Sequence, residues 1–171
     1  FCTFKVRTFI FTLNTHSLTQ PITITSIASI SSLGINTEDI WANYKRSNHL
    51  LKEVTFDGKT AWVSSLSESE KSEIKVLRSS NSKYQSLDDS VLYGIFTARR
   101  AAANAGWEEN DNFGINIGSS RGATGLFEKY HKEFLQNGTT AVLTSPTTTL
   151  GNISSWIAHD LKTKGPNISH S

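Results

Sequence analysis

A glycine-rich turn is the first stretch whose residue types and spacing could support chemistry. Gly118, Gly122 and Gly125 stand between an apolar run at 113–117 and a helical pattern at 126–135. Backbone amides at such a strand-to-helix turn can bind a phosphate group. The turn has neither the Gly-Lys-Ser/Thr ending of a P-loop nor the spacing of a dinucleotide fingerprint. We therefore favour tight backbone packing over nucleotide binding.

The histidines, serines and single cysteine show no spacing that supports a reactive centre. His131 and His159 fall on predicted helices among charged neighbours, where a solvated imidazole is the default, and no pair has metal-ligand spacing. No serine lies in a Gly-x-Ser-x-Gly turn, and Cys2 has no base beside it. We therefore expect no metal and no cofactor.

The segment 145–165 is the other candidate for a functional role. Its pattern predicts a capped amphipathic helix with an irregular start, in which Pro146 takes the first helical position and Gly165 follows the end. The apolar stripe of this helix consists of Leu150, Ile153, Ile157 and Leu161. From the residues alone, this helix is expected to pack against the core.

Alternating strand and helix patterns predict an α/β fold that positions these two segments. β-Branched residues on both faces of 22–27 predict a strand covered on two sides, and Asp57-Gly58 predicts a hairpin turn. Capping boxes at 67–70 and 86–89 predict two helix starts, and Gly106 ends the second helix. The order of strand, helix and strand is that of a right-handed crossover.

Composition narrows the class of protein. A chain of 171 residues with a net charge of +2 can form one domain with a core, and its near-neutral charge argues against a dedicated nucleic-acid binder. No stretch approaches the roughly 20 apolar residues of a membrane span. One cysteine cannot form an internal disulfide, which fits a reducing compartment, and we expect the cytoplasm.

The ends of the sequence predict a fragment. The chain begins with Phe1 and contains no Met. We interpret residues 1–20 as an extension outside the fold, with a clipped targeting segment as the alternative, and residues 21–171 as one incomplete domain.

Five segments, taken in order, resemble the N-terminal half of β-ketoacyl-acyl carrier protein synthases, the thiolase-fold condensing enzymes. They are Ile22–Gly34, Ala98–Gly106, Gly118–Gly122, Pro146–Asn152 and Gly165–Ser169. The resemblance implies an α/β thiolase-like fold, N-terminal half only, with a mixed sheet and packed helices. It covers most of the chain after Pro21.

The resemblance also implies an activity for the whole protein. That activity is decarboxylative Claisen condensation of acyl and malonyl thioesters, in fatty acid or polyketide biosynthesis. In the family the nucleophilic cysteine follows a Gly-Pro-x-Ile-Ser run by a few residues, which places it just past Ser171. We therefore expect the 171 residues alone to be inactive.

Partners and pocket residues follow from the same resemblance. It implies an acyl carrier protein as partner and a homodimer or heterodimer of the full-length protein. In the family the segment matching 145–165 lies at the twofold interface, and its start closes the acyl pocket of the partner. The positions that loosely match this pocket wall are Thr147, Thr148, Thr149 and Leu150.

Two other function classes stay open on the sequence. One is a catalytically silent partner subunit of the chain-length-factor kind, which lacks the nucleophile. The other is a small-ligand or phosphate-binding α/β module that uses the turn at Gly118. The residues after Ser171 discriminate the first alternative, and independent stability of the 171-residue chain would favour the second.

Overall fold

The computed structural model describes residues 22–109 and 111–171. In chain order its elements are α1 (Thr37–Lys45), β1 (Lys52–Phe56), β2 (Lys59–Val63), α2 (Glu68–Ser79), a short 3-10 helix (Ser82–Tyr84), α3 (Asp89–Ala105), β3 (Ile115–Gly118), α4 (Thr124–Asn137), α5 (Thr144–Thr148), α6 (Asn152–Asp160) and β4 (Asn167–His170). The predicted extension at 1–20, its boundary with the domain and Cys2 lie outside the described residues.

The predicted hairpin is confirmed. Strands β1 and β2 pair antiparallel, with Lys52 opposite Val63 and Phe56 opposite Lys59. Asp57 and Gly58 have φ values of 46° and 76°, the two positive values that a tight hairpin turn of this kind requires. The pattern succeeds here because the turn is set by two adjacent residues.

A parallel strand pair forms the part of the fold that matters for function. Strand β3 pairs with β4 from Ile115 opposite Asn167 to Gly118 opposite His170, and helices α4, α5 and α6 connect the two strands. With helices packed on this pair, the predicted α/β class is confirmed. The described strands form one antiparallel and one parallel pair.

The strand predicted at 22–27 is not found. None of these residues pairs in a ladder, and Ile22, Ile24 and Ile27 are exposed. β-Branched residues favour an extended backbone locally, but a strand forms only where a neighbouring strand is present to share its backbone hydrogen bonds. No segment among residues 22–109 and 111–171 provides that edge.

One of the two predicted capping boxes is confirmed and the other is wrong. At the start of α2 the Ser67 hydroxyl accepts a hydrogen bond from the Glu70 amide (3.2 Å), and the Glu70 carboxylate accepts one from the Ser67 amide (2.6 Å). At the start of α3 the N-cap is Asp88 instead of Ser86. The Asp88 side chain accepts a hydrogen bond from the Ser90 amide at 2.9 Å, which is the N-cap interaction.

The single helix predicted within 145–165 is interrupted. Helix α5 ends at Thr148 and α6 begins at Asn152, so Pro146 is the third residue of α5 and not a first helical position. The Asn152 side-chain amide donates to the carbonyl of Pro146 at 3.1 Å. A side chain therefore takes a carbonyl that a continuous helix would pair with a backbone amide, which accounts for the break.

The core lies between α3 and α6. Its fully buried side chains are Val91, Leu92, Ile95 and Ile157. Gly94 permits the close approach of the two helices, since a Cβ there would lie 3.0 Å from Ile157 Cδ1 and 3.1 Å from Ile153 Cγ2. The position of α6, and hence of the break before it, is fixed by this packing against α3.

Candidate functional site

The carboxyl ends of β3 and β4 meet at one edge of the parallel pair. The Ser119 amide, just after β3, donates to the His170 carbonyl at 3.0 Å, and the His170 imidazole packs over Gly118. In parallel α/β sheets, ligands bind beyond the carboxyl ends of the strands. This edge, where the glycine-rich turn begins and the chain reaches Ser171, is therefore the candidate site.

The glycine-rich turn packs directly on the break between α5 and α6. Gly122 has a φ of 67°, and a Cβ there would lie 3.2 Å from the Thr149 carbonyl oxygen and 3.3 Å from Leu150 Cα. The Ser119 hydroxyl accepts a hydrogen bond from the Gly122 amide at 3.0 Å. Only glycine satisfies both the positive φ and the close approach, which confirms the packing interpretation of this turn.

The four predicted pocket residues lie next to this turn but differ in their surroundings. Thr147 and Thr148 are half-buried on α5, and their hydroxyls donate to the carbonyls of Leu143 and Thr144, each at 2.7 Å. Thr149 is exposed in the break, whereas Leu150 is half-buried. The backbone at Thr149 and Leu150 contacts the turn, and a role of all four in acyl binding stays a prediction.

Asp88 is a buried carboxylate that sequence reasoning missed. Its Oδ1 accepts hydrogen bonds from the Ser90 amide (2.9 Å) and the Ser90 hydroxyl (2.7 Å). Its Oδ2 accepts one from the amide of Leu126, in the first turn of α4, at 2.8 Å. The available sequence signal was an aspartate directly before a helix, which a Ser86 capping box appeared to explain equally well.

A second unpredicted cluster holds the far end of α6. The Asp160 side chain is 2% exposed. Arg99 reaches it with Nε 2.8 Å from Oδ2 and Nη2 2.6 Å from Oδ1, and the Tyr84 hydroxyl also donates to it. No local pattern could reveal this cluster, because Tyr84 and Asp160 are 76 residues apart in the chain.

The cluster leads to a prediction about pH. Burial, and then the hydrogen bond to Asp160, raise the pKa of the Tyr84 hydroxyl above its ordinary value of 10. The folded chain therefore binds this proton more tightly than the unfolded chain, so the stabilisation is complete below pH 10 and is lost as pH rises through the folded-state pKa. Burial raises the pKa of Tyr93 in the same direction.

Above pH 10 we expect Tyr84→Phe to lose less stability than the parent protein, because the variant has one fewer hydroxyl with a raised pKa to titrate. At pH 8 it should lose about 1.5 kcal/mol with the hydrogen bond to a charged group. Urea unfolding at pH 8 and pH 11 measures both effects. An equally steep alkaline loss in the variant and the parent would contradict the prediction.

A cleft opens at the opposite end of β3 from the candidate site. Its volume is about 260 Å³, and Glu109 and Lys162 form an ion pair of 2.8 Å there. The residues that line it are Ala102, Trp107, Glu108, Glu109, Phe113, Asp160, Leu161 and Lys162. None of the predicted pocket residues lies in this cleft.

No group of three or more His, Cys, Asp or Glu residues in 22–109 and 111–171 is placed to hold a metal ion. No helix in these ranges is both long enough and apolar enough to cross a membrane.

A comparison with protein families shows which family the chain belongs to. The family described as β-ketoacyl synthase, N-terminal domain, matches residues 19–171. The chain therefore belongs to the β-ketoacyl synthase N-terminal domain family. A comparison with curated protein sequences found no significant match.

Solved structures share the fold of this chain. The ishigamide ketosynthase/chain length factor superposes with a TM-score of 0.61 at 19% identity, covering 86% of this chain and 38% of that one. A β-ketoacyl synthase from Burkholderia phymatum STM815 gives a TM-score of 0.59 at 13% identity, covering 85% of this chain and 38% of that one. The thiolase-like fold is thus confirmed, and the chain spans less than two fifths of either structure.

Proposed function

We propose that this chain is the N-terminal part of a β-ketoacyl-acyl carrier protein synthase, an acyltransferase of fatty acid or polyketide biosynthesis. The observation that carries the proposal is the meeting of three segments at one edge of the parallel pair. These are the turn after β3, the α5–α6 break and the end of β4. They meet in a chain whose family is that of condensing enzymes.

The proposed reaction is a decarboxylative condensation. A cysteine thiolate just beyond Ser171 attacks an acyl thioester, so that a new sulfur–carbon bond forms and the carrier thiol leaves. The malonyl thioester then loses carbon dioxide, and the resulting carbanion attacks the acyl-enzyme, which releases the β-ketoacyl product and the free cysteine. Within this chain, β4 directs the backbone toward the nucleophile, and the turn and break form part of the acyl pocket.

The proposal includes partners and a compartment. An acyl carrier protein delivers the acyl group, and the full-length protein acts as a homodimer or heterodimer in which Thr147–Leu150 of one subunit close the pocket of the other. The exposed side chains of Val142 and Leu143, just before α5, support an interface at this face. A single cysteine in the 171 residues supports a reducing compartment, the cytoplasm.

A condensation assay tests the proposed function. We expect protein extended past Ser171 to form ketoacyl product from acyl and malonyl thioesters, and replacement of the first cysteine after Ser171 by serine to reduce the rate at least 1,000-fold. The 171-residue chain alone should form none, because it lacks the nucleophile. Turnover by the 171-residue chain that survives Cys2→Ala would contradict the assignment.

A silent partner subunit is the second candidate function. One structure with this fold is titled a ketosynthase/chain length factor, so this fold occurs in a protein that pairs a ketosynthase with such a subunit. If the residue at the nucleophile position is not cysteine, the extended protein should form no product alone. It should then raise the activity of a catalytic subunit on co-expression.

A further inference from the structure

We propose that Asp88 is a positioning residue for the acyl pocket: one buried carboxylate caps two helices and so holds the glycine-rich turn against the α5–α6 break. The inference deepens the proposed function and, as far as the pocket is concerned, rests on it. The link between the carboxylate and the turn stands on contacts within this chain.

The start of α4 lacks a cap of its own. Its N-cap residue is Ala123, which has no polar side chain, and no side-chain hydrogen bond closes this end from within the helix. The Leu126 amide is the third amide of α4, the position that an N-cap side chain ordinarily satisfies. Here Asp88 satisfies it from another helix, with Oδ2 2.8 Å from the Leu126 nitrogen.

The same carboxylate caps α3 with its other oxygen. Oδ1 accepts from the amide and the hydroxyl of Ser90, and the Ser90 hydroxyl oxygen is also 3.3 Å from the carbonyl oxygen of Gly122. Asp88 is 8% exposed, so water cannot readily replace these donors. The two helix starts are thereby joined through one side chain.

Neighbouring residues are shaped to admit this carboxylate. A Cβ at Gly125 would lie 3.0 Å from Asp88 Oδ2, closer than nearly all side-chain contacts. Ala123 is completely buried. The absence of a side chain at Gly125 thus allows the carboxylate to approach the Leu126 amide without steric conflict.

The turn that Asp88 restrains lies against the predicted pocket wall at Thr149 and Leu150. Gly122 begins the segment that Asp88 and Ser90 hold, and it lies so close to the α5–α6 break that a Cβ there would be 3.2 Å from the Thr149 carbonyl oxygen and 3.3 Å from Leu150 Cα. The Asn152 amide donates to the same Thr149 carbonyl at 3.0 Å. A shift of the turn should therefore move the Thr149 carbonyl and weaken the hydrogen bond that it accepts from the Asn152 amide.

Asp88→Asn separates the two caps. Asparagine is itself a good N-cap, so its oxygen can retain the Ser90 bonds, whereas its NH2 group would face the Leu126 amide, donor against donor. Asp88→Ser is the second variant, because serine caps α3 but is too short to reach α4. Ser67→Ala is the matched control: it removes a helix cap from α2, a helix that packs on α3 and on the 3-10 helix.

Amide hydrogen exchange on the protein extended past Ser171 is the first test. In both Asp88 variants we expect exchange about tenfold faster at Leu126 and several-fold faster at Asn152, with no change at either amide in Ser67→Ala. Unchanged exchange at Leu126 would overturn the double cap. Faster exchange at Leu126 with unchanged exchange at Asn152 would overturn the coupling to the pocket wall.

Substrate selectivity of the extended protein is the second test. We expect Asp88→Asn to change the ratio of kcat/KM between a long and a short acyl thioester about fivefold, while Ser67→Ala leaves the ratio unchanged. An unchanged ratio in Asp88→Asn would overturn the positioning role. If the parent protein forms no ketoacyl product, the proposed function fails, and the exchange measurements still decide whether Asp88 holds the turn.

Discussion

Replacing Arg99 with alanine is expected to destabilise the chain by about 3 kcal/mol. Asp160 would stay in place with a side chain that is 2% exposed, and it would lose both guanidinium contacts, at 2.6 and 2.8 Å. The Tyr84 hydroxyl alone cannot compensate a buried carboxylate. Because Arg99 is itself 46% exposed, the loss should fall at the lower end of the range for breaking a buried pair.

Two control variants separate burial from mere charge pairing. Lys162→Ala breaks the ion pair with Glu109, whose side chains are 63% and 60% exposed, and should change the free energy of unfolding by less than about 1 kcal/mol. In an Asp160→Asn background, Arg99→Ala should have a much smaller effect, because no buried charge is left unpaired. Urea unfolding of the parent, Arg99→Ala, Lys162→Ala, Asp160→Asn and the Asp160→Asn/Arg99→Ala double variant gives these differences. Equal effects of Arg99→Ala and Lys162→Ala would contradict the argument.

Gly165→Ala is expected to have an effect of similar size, about 3 kcal/mol, and to disrupt the pairing of β3 with β4. A Cβ at this position would lie 2.5 Å from the Phe113 carbonyl oxygen and 2.7 Å from the Gly114 nitrogen. Both are backbone atoms next to β3, so no rotamer change can relieve the contact. The strands would have to separate where the Gly165 amide now donates to the Phe113 carbonyl at 3.1 Å.

Gly151→Ala is the matched control for this prediction. Nothing lies within 4 Å of a Cβ at Gly151, and its φ of −67° suits alanine, so the change in stability should stay within about 0.5 kcal/mol. Thermal unfolding compares the two variants. Exchange at the Ile115 and Ser119 amides, which donate to Pro166 and His170, reports the pairing itself. Protected amides in Gly165→Ala would show that the strands tolerate the added methyl group.

Features predicted correctly from the sequence depend on neighbouring residues. The hairpin turn needs only Asp57 and Gly58, and the cap of α2 needs only Ser67 and Glu70. Gly106, in the left-handed conformation with a φ of 71°, ends α3 as its position predicts. The order of the five family segments was also readable, because short motifs keep their residue types and spacing.

The candidate site was predicted only in part. Gly118 and Gly122 were recognised as a tight turn, and the segment holding Thr149 and Leu150 was recognised as a possible pocket wall. Their direct contact could not be foreseen, since it follows from the packing of α6 on α3 at Gly94. The break before α6 was missed for a related reason: Asn152 binds the Pro146 carbonyl only in the folded chain.

What the sequence determined by itself was therefore the class of fold, the family and the local turns and caps. The tertiary structure alone decided that 22–27 forms no strand, that Asp88 caps two helices and that Tyr84, Arg99 and Asp160 share one buried carboxylate. The physical reason is the separation of the partners. The Leu126 amide comes 38 residues after Asp88, and Asp160 comes 61 residues after Arg99, so only the packed core brings these donors and acceptors together.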